Sequence, residues 1–417
     1  MTYKLEIKQI GNQGEGVAEG GDGAIYVPYT LAGEIINVEV TKNRGRLLDI
    51  ITPSLERIHP TCKHYTVCGG CNLQHWDESK VLAWKHSLID GALRRAGLIY
   101  NENTPRIMVQ TIAAFGKGRR RAKFTAKREN NKIIFGFMGA KSNDLIDIED
   151  CPILTANLLA AIPKLRELCR TLIMGREELA LNVTDSTSGI DVDISGLKPI
   201  EKWARADLEK LARAASAADI ARLTLDTHNA FMQTPPIVKI GNALVELPPA
   251  SFLQASEECE HIMGELVIKW AKGSKRFVDL FCGLGTFALR LKALGEVKAY
   301  EVHRPSVFAL NKAAKTLAGG HTLNAFSRDL YNVPVAPLEF KGIDCIILDP
   351  PRLGAEAQIK QLAKTKIAKI IYVSCDPISF ARDAKLLIAA GYKLNEVHGF
   401  DQFRYSPHVE LAALFSK

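Results

Sequence analysis

From about residue 252 onward, short apolar runs alternate with stretches long enough to form helices. Six such runs occur, at residues 276–281, 297–302, 343–351, 369–375, 392–400 and 409–415. Strands buried on both faces are apolar along their length, and strands that alternate with helices form parallel sheets covered by helices. The C-terminal region is therefore predicted to be a doubly wound α/β sheet whose ligands bind at the carboxyl ends of its strands.

The rest of the chain divides into two further regions. Residues 1–57 combine short β-rich runs with glycine-rich turns, which is typical of a small OB-like β-barrel. Residues 58–235 carry a cysteine-rich segment and alternating helix and strand patterns, which predict a central α/β domain. We therefore predict three domains, at 1–57, 58–235 and 236–417, and a helix near 77–98 that packs on the last of them.

Charge and hydrophobicity narrow the class of protein. The 417 residues are 47% hydrophobic, carry a net charge of +8 and contain no apolar run long enough to span a membrane, about 18 residues. We expect a cytoplasmic monomer without a membrane partner, in which the nine cysteines serve metal binding or catalysis rather than disulfides. A mild positive charge permits a polyanionic partner but does not require one. Whether such a partner is predicted depends on the placement of the basic residues.

The basic residues concentrate in one segment. Residues 117–128 contain seven Lys or Arg and no acidic residue, whereas residues 1–55 contain five basic and seven acidic residues. In a strand, Arg119, Arg121 and Lys123 would share one face and suit the phosphates of a nucleic acid backbone. A solubilising strand edge is the alternative, but the arginine fork and the unopposed charge favour nucleic acid. Within the predicted barrel, only residues 42–46 offer a comparable contact to the phosphates of a nucleic acid.

A glycine-rich turn follows the first apolar run. In DLFCGLG, at 279–285, an acidic residue precedes the glycines, unlike the G-x-G-x-x-G order of dinucleotide folds. Glu301 follows Asp279 by 22 residues, at the end of the next run, where a carboxylate can accept hydrogen bonds from ribose hydroxyls. The pattern resembles the S-adenosylmethionine site of class I methyltransferases, and a purely structural strand-to-helix turn is the alternative.

Two further strand ends carry reactive side chains. The third run ends in Asp349-Pro350-Pro351, where the prolines stiffen the loop that holds the Asp349 carboxylate. Such D-P-P loops occur in methyltransferases that act on an extruded base. The fourth run ends at Cys375, which places its thiol at the exit of the sheet. A lone cysteine is most often a buried small hydrophobe, but a thiol beside a ligand site favours nucleophilic catalysis.

The chemistry of pyrimidine methylation explains why a thiol and a base belong together. Uracil C5 is a poor nucleophile, and thiolate addition at C6 enables C5 to attack a methyl sulfonium. A base must then remove the C5 proton so that the thiolate can leave. If the last strand is antiparallel, His408 and Glu410 near its start reach the same crevice. Strand alternation turns both side chains to one face, so the residues alone do not distinguish them.

The cysteine-rich segment has the composition of a metal site. Three close cysteines are joined by a remote fourth that precedes a proline: Cys62, Cys68, Cys71 and Cys151. Four thiolates bind zinc or a [4Fe–4S] cluster, and because paired C-x-x-C units would favour zinc, this spacing favours iron–sulfur. The other cysteines outside the proposed sites are assigned to packing: Cys169, Cys259, Cys282 and Cys345.

Together these motifs resemble the RNA (uracil-C5)-methyltransferases, in the branch with an N-terminal TRAM barrel and an iron–sulfur cluster. The resemblance spans nearly the whole chain and rests on G-E-G-V-A, HPTCKHYTVCGGCNLQH, DLFCGLGTF, LDPPR, YVSCDP and HVE. It implies that Cys375 is the nucleophile, that Glu410 removes the proton, and that Asp349 orients the base or the cofactor. It implies further contacts to S-adenosylmethionine at Gln254, Phe281, Glu301 and Asp329.

The same resemblance implies a cluster and a substrate. A [4Fe–4S] cluster would be held by four thiolates: Cys62, Cys68, Cys71 and Cys151. RNA phosphates would be held by the basic segment: Arg119, Arg120, Arg121 and Lys123. We predict an S-adenosylmethionine-dependent enzyme that makes 5-methyluridine in structured RNA, with 23S rRNA favoured over tRNA. Two other classes stay open, an exocyclic amino methyltransferase that needs no cysteine and a non-catalytic RNA-binding module.

Overall fold

The first five strands close into a barrel. The computed structural model of the protein describes residues 2–21, 23–98, 108–173, 175 and 177–417. The barrel order is β1-β2-β3-β5-β4. Its strands are β1 (Thr2–Ile10), β2 (Gly16–Gly20), β3 (Gly23–Val27), β4 (Ile35–Thr41) and β5 (Arg44–Thr52). Ile7, Ile25 and Ile36 point inward and form part of its core, which confirms the predicted N-terminal barrel.

One barrel strand differs from the prediction. The sequence predicts a glycine-rich turn over residues 11–23, whereas β2 lies within it and pairs with both β1 and β3. Gly16 permits this pairing because a Cβ atom there would lie 2.0 Å from the Thr30 hydroxyl. Glycine in a sequence normally indicates a turn. A strand that needs glycine so that its backbone can lie close to a neighbouring side chain is therefore not predicted from the residue pattern.

The remaining elements of the described chain follow in order. They are α1 (Glu78–Arg95), β6 (Met108–Ala113), β7 (Arg121–Glu129), β8 (Lys132–Met138), β9 (Leu145–Asp147), α2 (Ala156–Leu172), β10 (Glu178–Ser186), β11 (Gly189–Ser195), α3 (Arg205–Ala217), β12 (Ile220–Leu225), β13 (His228–Met232), β14 (Ile237–Ile240), β15 (Ala243–Glu246), α4 (Glu257–Ala271), β16 (Arg276–Leu280), α5 (Ala288–Leu291), β17 (Glu296–Glu301), α6 (Arg304–Thr316), β18 (Leu323–Ser327), β19 (Cys345–Leu348), α7 (Glu356–Leu362), β20 (Lys369–Ser374), α8 (Pro377–Ala389), β21 (Lys393–Asp401) and β22 (Glu410–Ser416).

The central sheet has seven strands in the order β13-β12-β11-β10-β7-β8-β9. The turn between β7 and β8 holds Asn130 and Asn131 at positive φ, 46° and 63°, which is the geometry of a two-residue hairpin turn. Helices α2 and α3 pack against the sheet, and Phe124, Leu165 and Leu181 are buried in the shared core. This sheet carries the basic segment at the start of β7.

The C-terminal sheet has eight strands in the order β18-β17-β16-β19-β20-β22-β21-β6. Strands β16 to β20 pair in parallel, and β22 is antiparallel to β20. The predicted α/β fold is therefore confirmed, and each of the six apolar runs coincides with a strand. The edge strand β18 lacks such a run because only Leu323 and Ala325 are buried in it. Among the described residues, no helix is both long and apolar enough to cross a membrane.

Helix α1 and strand β6 join the C-terminal sheet although both lie between residues 58 and 235. Strand β6 pairs in parallel with β21, and α1 packs on β6, β21 and α8. The fully buried Lys85 of α1 places its Nζ 2.5 Å from Asp401 Oδ1 and 3.0 Å from the carbonyl oxygen of Phe403. The division into domains at 1–57, 58–235 and 236–417 stays a prediction. Strand β6 lies in the second of these regions but belongs to the sheet of the third.

Candidate active site

The carboxyl ends of the parallel strands meet at one edge of the C-terminal sheet. Predicted site residues end or follow β16, β17, β19 and β20: Phe281, Glu301, Asp349 and Cys375. Because β22 is antiparallel, with Leu411 opposite Ser374, its first residue Glu410 lies at the same edge. The topology thus brings the thiol and both carboxylates into one crevice, as the sequence predicts for an antiparallel last strand.

A chain of hydrogen bonds joins the two carboxylates of the crevice. Gln254 Nε2 donates to Asp349 Oδ2 at 3.2 Å. Gln402 Nε2 donates both to Gln254 Oε1 and to Glu410 Oε2, each at 2.9 Å. The carbonyl oxygen of the Gln402 side chain accepts from the Ala255 N–H at 2.9 Å. Gln402 therefore connects Asp349 to Glu410, a role that the sequence analysis does not assign to it.

Burial governs the ionisation of the reactive groups. Burial, together with the charge of Asp349, raises the pKa of Glu410 to about 8, and Glu410 is 3% exposed. Burial also raises the pKa of Asp349 to about 7. Burial and both carboxylates raise the pKa of the Cys375 thiol to about 12, while Arg352 opposes this increase. A cationic ligand in the crevice would favour the ionised form of all three groups.

The glycine-rich turn is fixed by a buried carboxylate. Asp279 is fully buried, and its Oδ2 accepts a hydrogen bond from the Ala288 N–H at 2.8 Å, which ties β16 to the start of α5. Burial raises the pKa of Asp279 well above its ordinary value. Phe281 follows with φ at 61°, and its ring centroid lies 5.6 Å from that of Tyr331. The backbone therefore leaves β16 in a strained turn that presents an aromatic ring at the sheet edge.

Glu301 and Asp329 lie after neighbouring strands and are held by local N–H groups. Glu301 accepts from Gly283 N–H at 3.1 Å and from His303 N–H at 2.9 Å. Asp329 follows β18 and accepts from Asn332 Nδ2 at 2.7 Å and from the Tyr331 N–H at 3.0 Å. These hydrogen bonds lower the pKa of Asp329, so it is an anion at neutral pH. Each carboxylate keeps lone pairs that another donor can use.

His408 and Glu410 have different partners. His408 precedes β22, and its Nδ1 lies 3.4 Å from Nη2 of Arg352. Burial and the charge of Arg352 lower the pKa of His408. Glu410, in contrast, accepts a hydrogen bond from Gln402 within the chain that leads to Asp349. Regular strand alternation begins only at Glu410, so the expectation that both side chains share one face stays a prediction.

Arg120 is engaged inside the protein, in contrast to the predicted RNA contact. Its side chain is buried, forms an ion pair with Glu260 of α4, and donates from Nε to the carbonyl oxygen of Gln254 at 3.1 Å. Arg290 also lies 3.4 Å from Glu260. A buried carboxylate requires cationic partners. Arg120 therefore supports the segment that carries Gln254. The run of positive charge around Arg120 gives no sign of its internal partner Glu260.

The other basic residues of the segment lie nearer the surface. The Arg119 guanidinium is 5.5 Å from the ring centroid of Phe403, and that of Arg121 is 5.7 Å from the ring centroid of Phe252. Phe252 is 68% exposed, and Lys123 is exposed on β7. Since β7 begins at Arg121, the predicted shared face extends only over Arg121 and Lys123.

The four predicted cluster cysteines are free thiols that interact electrostatically: Cys62, Cys68, Cys71 and Cys151. Burial and the other thiols raise the pKa of Cys151 to about 12 and that of Cys71 to about 11. Within the described residues, no group of three or more ligating side chains has metal-holding geometry. Three buried side-chain nitrogens near these cysteines in the sequence or in electrostatic contact with them have no hydrogen-bond partner among the described residues: His64 Nε2, Gln74 Nε2 and Arg119 Nε. The remaining cysteines are buried, as predicted for packing: Cys169, Cys259, Cys282 and Cys345.

The doubly wound sheet with a crevice at its carboxyl edge defines a class I α/β methyltransferase. The crystal structure of Pyrococcus abyssi tRNA (uracil-54, C5)-methyltransferase in complex with S-adenosyl-L-homocysteine has the same fold, with a TM-score of 0.75 at 21% identity over 99% of this chain and 100% of that one. A family model for tRNA (Uracil-5-)-methyltransferase matches residues 98–417, and the chain belongs to this family.

Two relatives match along the whole chain. An RNA methyltransferase of Caulobacter vibrioides, described as uncharacterized, is 38% identical over 418 residues, which cover 99% of each chain. The 23S rRNA (uracil(1939)-C(5))-methyltransferase RlmD of Acinetobacter baylyi is 30% identical over 452 residues, 100% of this chain and 96% of that protein. The protein is accordingly an S-adenosylmethionine-dependent RNA methyltransferase that acts at C5 of uracil.

Proposed function

We propose that this enzyme methylates a uridine of 23S rRNA, with Cys375 as the nucleophile and Glu410 as the base that removes the C5 proton. The observation that carries this proposal is the antiparallel pairing of β22 with β20, which brings Glu410 to the strand end where Cys375 lies. The charges of Glu410 and Asp349 add to the effect of burial on the pKa of the Cys375 thiol, which supports a shared crevice for the three groups.

The reaction balances with these two residues. The Cys375 thiolate adds to C6 of the extruded uracil, and the electron pair of the C5–C6 double bond moves toward C5 and O4. C5 takes the methyl group from the sulfonium, which leaves as S-adenosylhomocysteine. Glu410 removes the C5 proton, the double bond re-forms, and the C6–S bond breaks to return the thiolate. Arg352 favours thiolate formation because its charge opposes the increase in the thiol pKa.

Cofactor contacts are proposed at the sheet edge: Gln254, Phe281, Glu301, Asp329 and Asp349. Glu301 uses one lone pair of each oxygen for a backbone N–H, so the others are free to accept ribose hydroxyls. Phe281 presents its ring beside Tyr331, which suits a planar heterocycle. Asp349 and Gln254 lie on the side of Glu410, where the methyl group must be delivered.

RNA contacts are proposed at three basic residues and one ring: Arg119, Arg121, Lys123 and Phe252. An exposed aromatic ring beside an arginine offers a stacking surface for an unpaired base. Lys123, two positions further along β7, offers a charge for a neighbouring phosphate. Arg120 is not included because Glu260 holds its guanidinium.

Ribosomal RNA is the substrate that we favour, with tRNA as the second choice. The relative from Acinetobacter baylyi, which matches over the full chain, is named for 23S rRNA, whereas the Pyrococcus abyssi structure shares only the fold at 21% identity. Such an enzyme would work in the cytoplasm. Mapping 5-methyluridine in rRNA and tRNA from a strain that lacks the gene tests this choice, because the missing modification identifies the substrate.

Two substitutions test the chemistry. Cys375→Ala should abolish methylation and leave the binding of S-adenosylmethionine intact, whereas an exocyclic amino methyltransferase would keep its activity. Glu410→Gln should accumulate a covalent RNA–protein adduct on denaturing gels, because the adduct forms but cannot lose its C5 proton. Normal turnover of Cys375→Ala, or loss of activity in Glu410→Gln without any adduct, would contradict the assigned roles.

We also propose a [4Fe–4S] cluster on four thiolates: Cys62, Cys68, Cys71 and Cys151. The residues fit this group chemically, because the four thiols are free and interact electrostatically, and the charge of Arg119 acts on Cys71 and Cys151. N–H groups donate hydrogen bonds to cluster sulfurs, and a nearby guanidinium offsets the cluster's negative charge. Protein purified under anaerobic conditions should be brown and contain iron and sulfide. A colourless preparation with stoichiometric zinc would overturn the assignment.

A further inference from the structure

The turn between β1 and β2 of the barrel lines the same cleft as the proposed nucleophile. Asn12 and Gln13 of this turn line a cleft together with Cys375, Arg352 and, from the last turn of α1, Arg95. The barrel therefore contributes residues to a cleft that Cys375 also lines. Neither residue is charged, so the charge pattern of the barrel does not reveal them.

The turn is held in one conformation by backbone contacts. Gly11 N–H donates to the carbonyl oxygen of Glu15 at 2.8 Å, and Gly14 N–H donates to that of Gly11 at 2.9 Å. Gly14 has φ at 74°, and a Cβ atom there would lie 2.7 Å from Leu73 Cδ2, so only glycine fits. Because the turn packs closely on Leu73, Asn12 and Gln13 keep a fixed position relative to the cleft.

The side chains of this turn are free to bind. Both amides are exposed, and no side-chain hydrogen bond joins either of them to another residue that the structure describes. Each amide has two donors and one acceptor oxygen, a combination that matches the edges of unpaired bases. Uncharged amides next to a reaction centre are suited to reading a base rather than gripping a phosphate.

The charges of the barrel are largely neutralised within the barrel. Three of its cations form ion pairs: Lys8 with Glu6 at 2.6 Å, Arg44 with Glu15 at 2.5 Å, and Arg46 with Glu39 at 2.5 Å. The predicted phosphate contact at residues 42–46 is weakened accordingly. Arg95, in contrast, is exposed at the cleft and forms no ion pair with a described residue.

We propose that Asn12, Gln13 and Arg95 form a subsite for the nucleotide next to the target uridine. The two amides read the edge of its base, and Arg95 binds its phosphate. The barrel then selects which uridine enters the crevice, although its own charge attracts RNA only weakly. This inference rests on the proposed function, because it requires the base attacked by Cys375 to lie in an RNA chain.

Discrimination between substrates tests the subsite. Four transcripts of the mapped RNA region, which differ only in the nucleotide next to the target uridine, are compared by kcat/KM. The Asn12→Ala/Gln13→Ala variant should lose the wild-type preference by roughly tenfold, the effect of one lost base contact, and keep its kcat and its affinity for S-adenosylmethionine. Arg95→Ala should raise KM equally for all four transcripts and reduce the salt dependence of binding by about one phosphate contact.

The controls separate this subsite from the chemistry. Gln9→Ala changes an exposed amide on strand β1 of the same barrel and should leave the preference unchanged. If the double variant binds the cofactor poorly, Asn12→Asp and Gln13→Glu, which keep the shape of the turn, replace it in the same assay. Unchanged discrimination in variants that bind the cofactor overturns the subsite. A wild-type enzyme that methylates none of the transcripts contradicts the proposed function instead.

Discussion

Both amide hydrogens of Gln402 are used inside the active site. One is donated to Gln254 and the other to Glu410, each at 2.9 Å, and the side chain is fully buried. The hydrogen bond to Glu410 lowers its pKa, against burial and the charge of Asp349, which raise it. Gln402 therefore acts as a positioning residue, because it orients the proposed base and favours its ionised form.

Removing this amide should impair proton removal. Gln402→Leu keeps the side-chain volume and deletes the donor, and a hydrogen bond to a charged group contributes about 1.5–3 kcal/mol, so kcat should fall roughly ten- to a hundredfold. A base must be ionised to act, so the rate rises with pH through its pKa. Because the pKa of Glu410 is raised further in the variant, the pH–rate profile should shift to more alkaline pH, and the covalent RNA adduct should accumulate.

Gln358 provides the matched control for this experiment. It is another fully buried amide, bonded to the Val335 N–H at 2.8 Å and to the Val335 carbonyl oxygen at 3.1 Å, away from the carboxylates. Gln358→Leu should lower the melting temperature without moving the pH–rate profile. If both variants give the wild-type profile, Gln402 has no influence on the base.

The residues of the crevice differ in how far the sequence could predict them. Asp349, Cys375 and Glu410 lie at ends of apolar runs, and chain topology alone brings such ends together. Gln402 lies in an irregular loop, where no periodicity fixes the direction of a side chain. Arg120 belongs to a run of like charges, and its partner Glu260 is 140 residues away in the sequence, so the local charge does not reveal this internal ion pair.

At the scale of elements, the loop between β21 and β22 is held by the cysteine-rich segment and by α1. The N–H groups of Asn72 and Leu73 donate to the carbonyl oxygen of Tyr405 at 2.7 and 3.1 Å. Lys85 of α1 donates to the carbonyl oxygen of Phe403 at 3.0 Å. This loop carries Gln402 and leads to Glu410, so elements outside the C-terminal region determine the geometry of the proposed base.

Detaching α1 should therefore affect both stability and catalysis. Lys85→Met removes the buried ammonium and leaves Asp401 without its partner, so the free energy of unfolding in urea should fall by about 3–5 kcal/mol and activity should decrease. Lys80→Met on the same helix removes an exposed ion pair with Glu56, at 3.0 Å, and should cost less than about 1 kcal/mol. Equal effects of the two substitutions would show that the buried contact does not anchor the loop.

Which elements can be predicted depends on how they are buried. Strands β16, β19 and β20 are buried along nearly their whole length because helices cover both sheet faces. The strands that pattern analysis misses have other reasons to exist: β2 depends on glycine for close approach, and β18 is an edge strand with two buried residues. Strand β6 pairs with β21, almost 290 residues later in the chain, and no local pattern contains that partner.

At the scale of the whole molecule, buried carboxyls make the stability of the fold depend on pH. The folded protein holds a proton on Glu410 up to a pKa of about 8, whereas an unfolded chain releases it near the ordinary value of 4.5. The stabilisation of the fold by the protonated Glu410 carboxyl is fully present below pH 4.5 and is lost as the pH rises to 8. The contribution of Glu34 in the barrel to stability depends on pH in the opposite direction. Burial opposes its ionisation, but hydrogen bonds from Arg57 and from backbone N–H groups lower its pKa below the ordinary value.

These two buried glutamates should respond oppositely to removal of their charge. Glu410→Gln cannot ionise, so its free energy of unfolding, measured in urea, should exceed that of the wild type increasingly from pH 4.5 to pH 9, by on the order of 5 kcal/mol at the upper end. Glu34→Gln leaves Arg57 without its carboxylate and should be less stable than the wild type at pH 7, with a difference that shrinks as the pH falls below 4.5. A difference between Glu410→Gln and the wild type that stays constant with pH would show that the Glu410 carboxyl ionises equally in the folded and unfolded protein. In that event the crevice would not store the protonated base, and the pH dependence of catalysis would have to originate from Cys375 or Asp349.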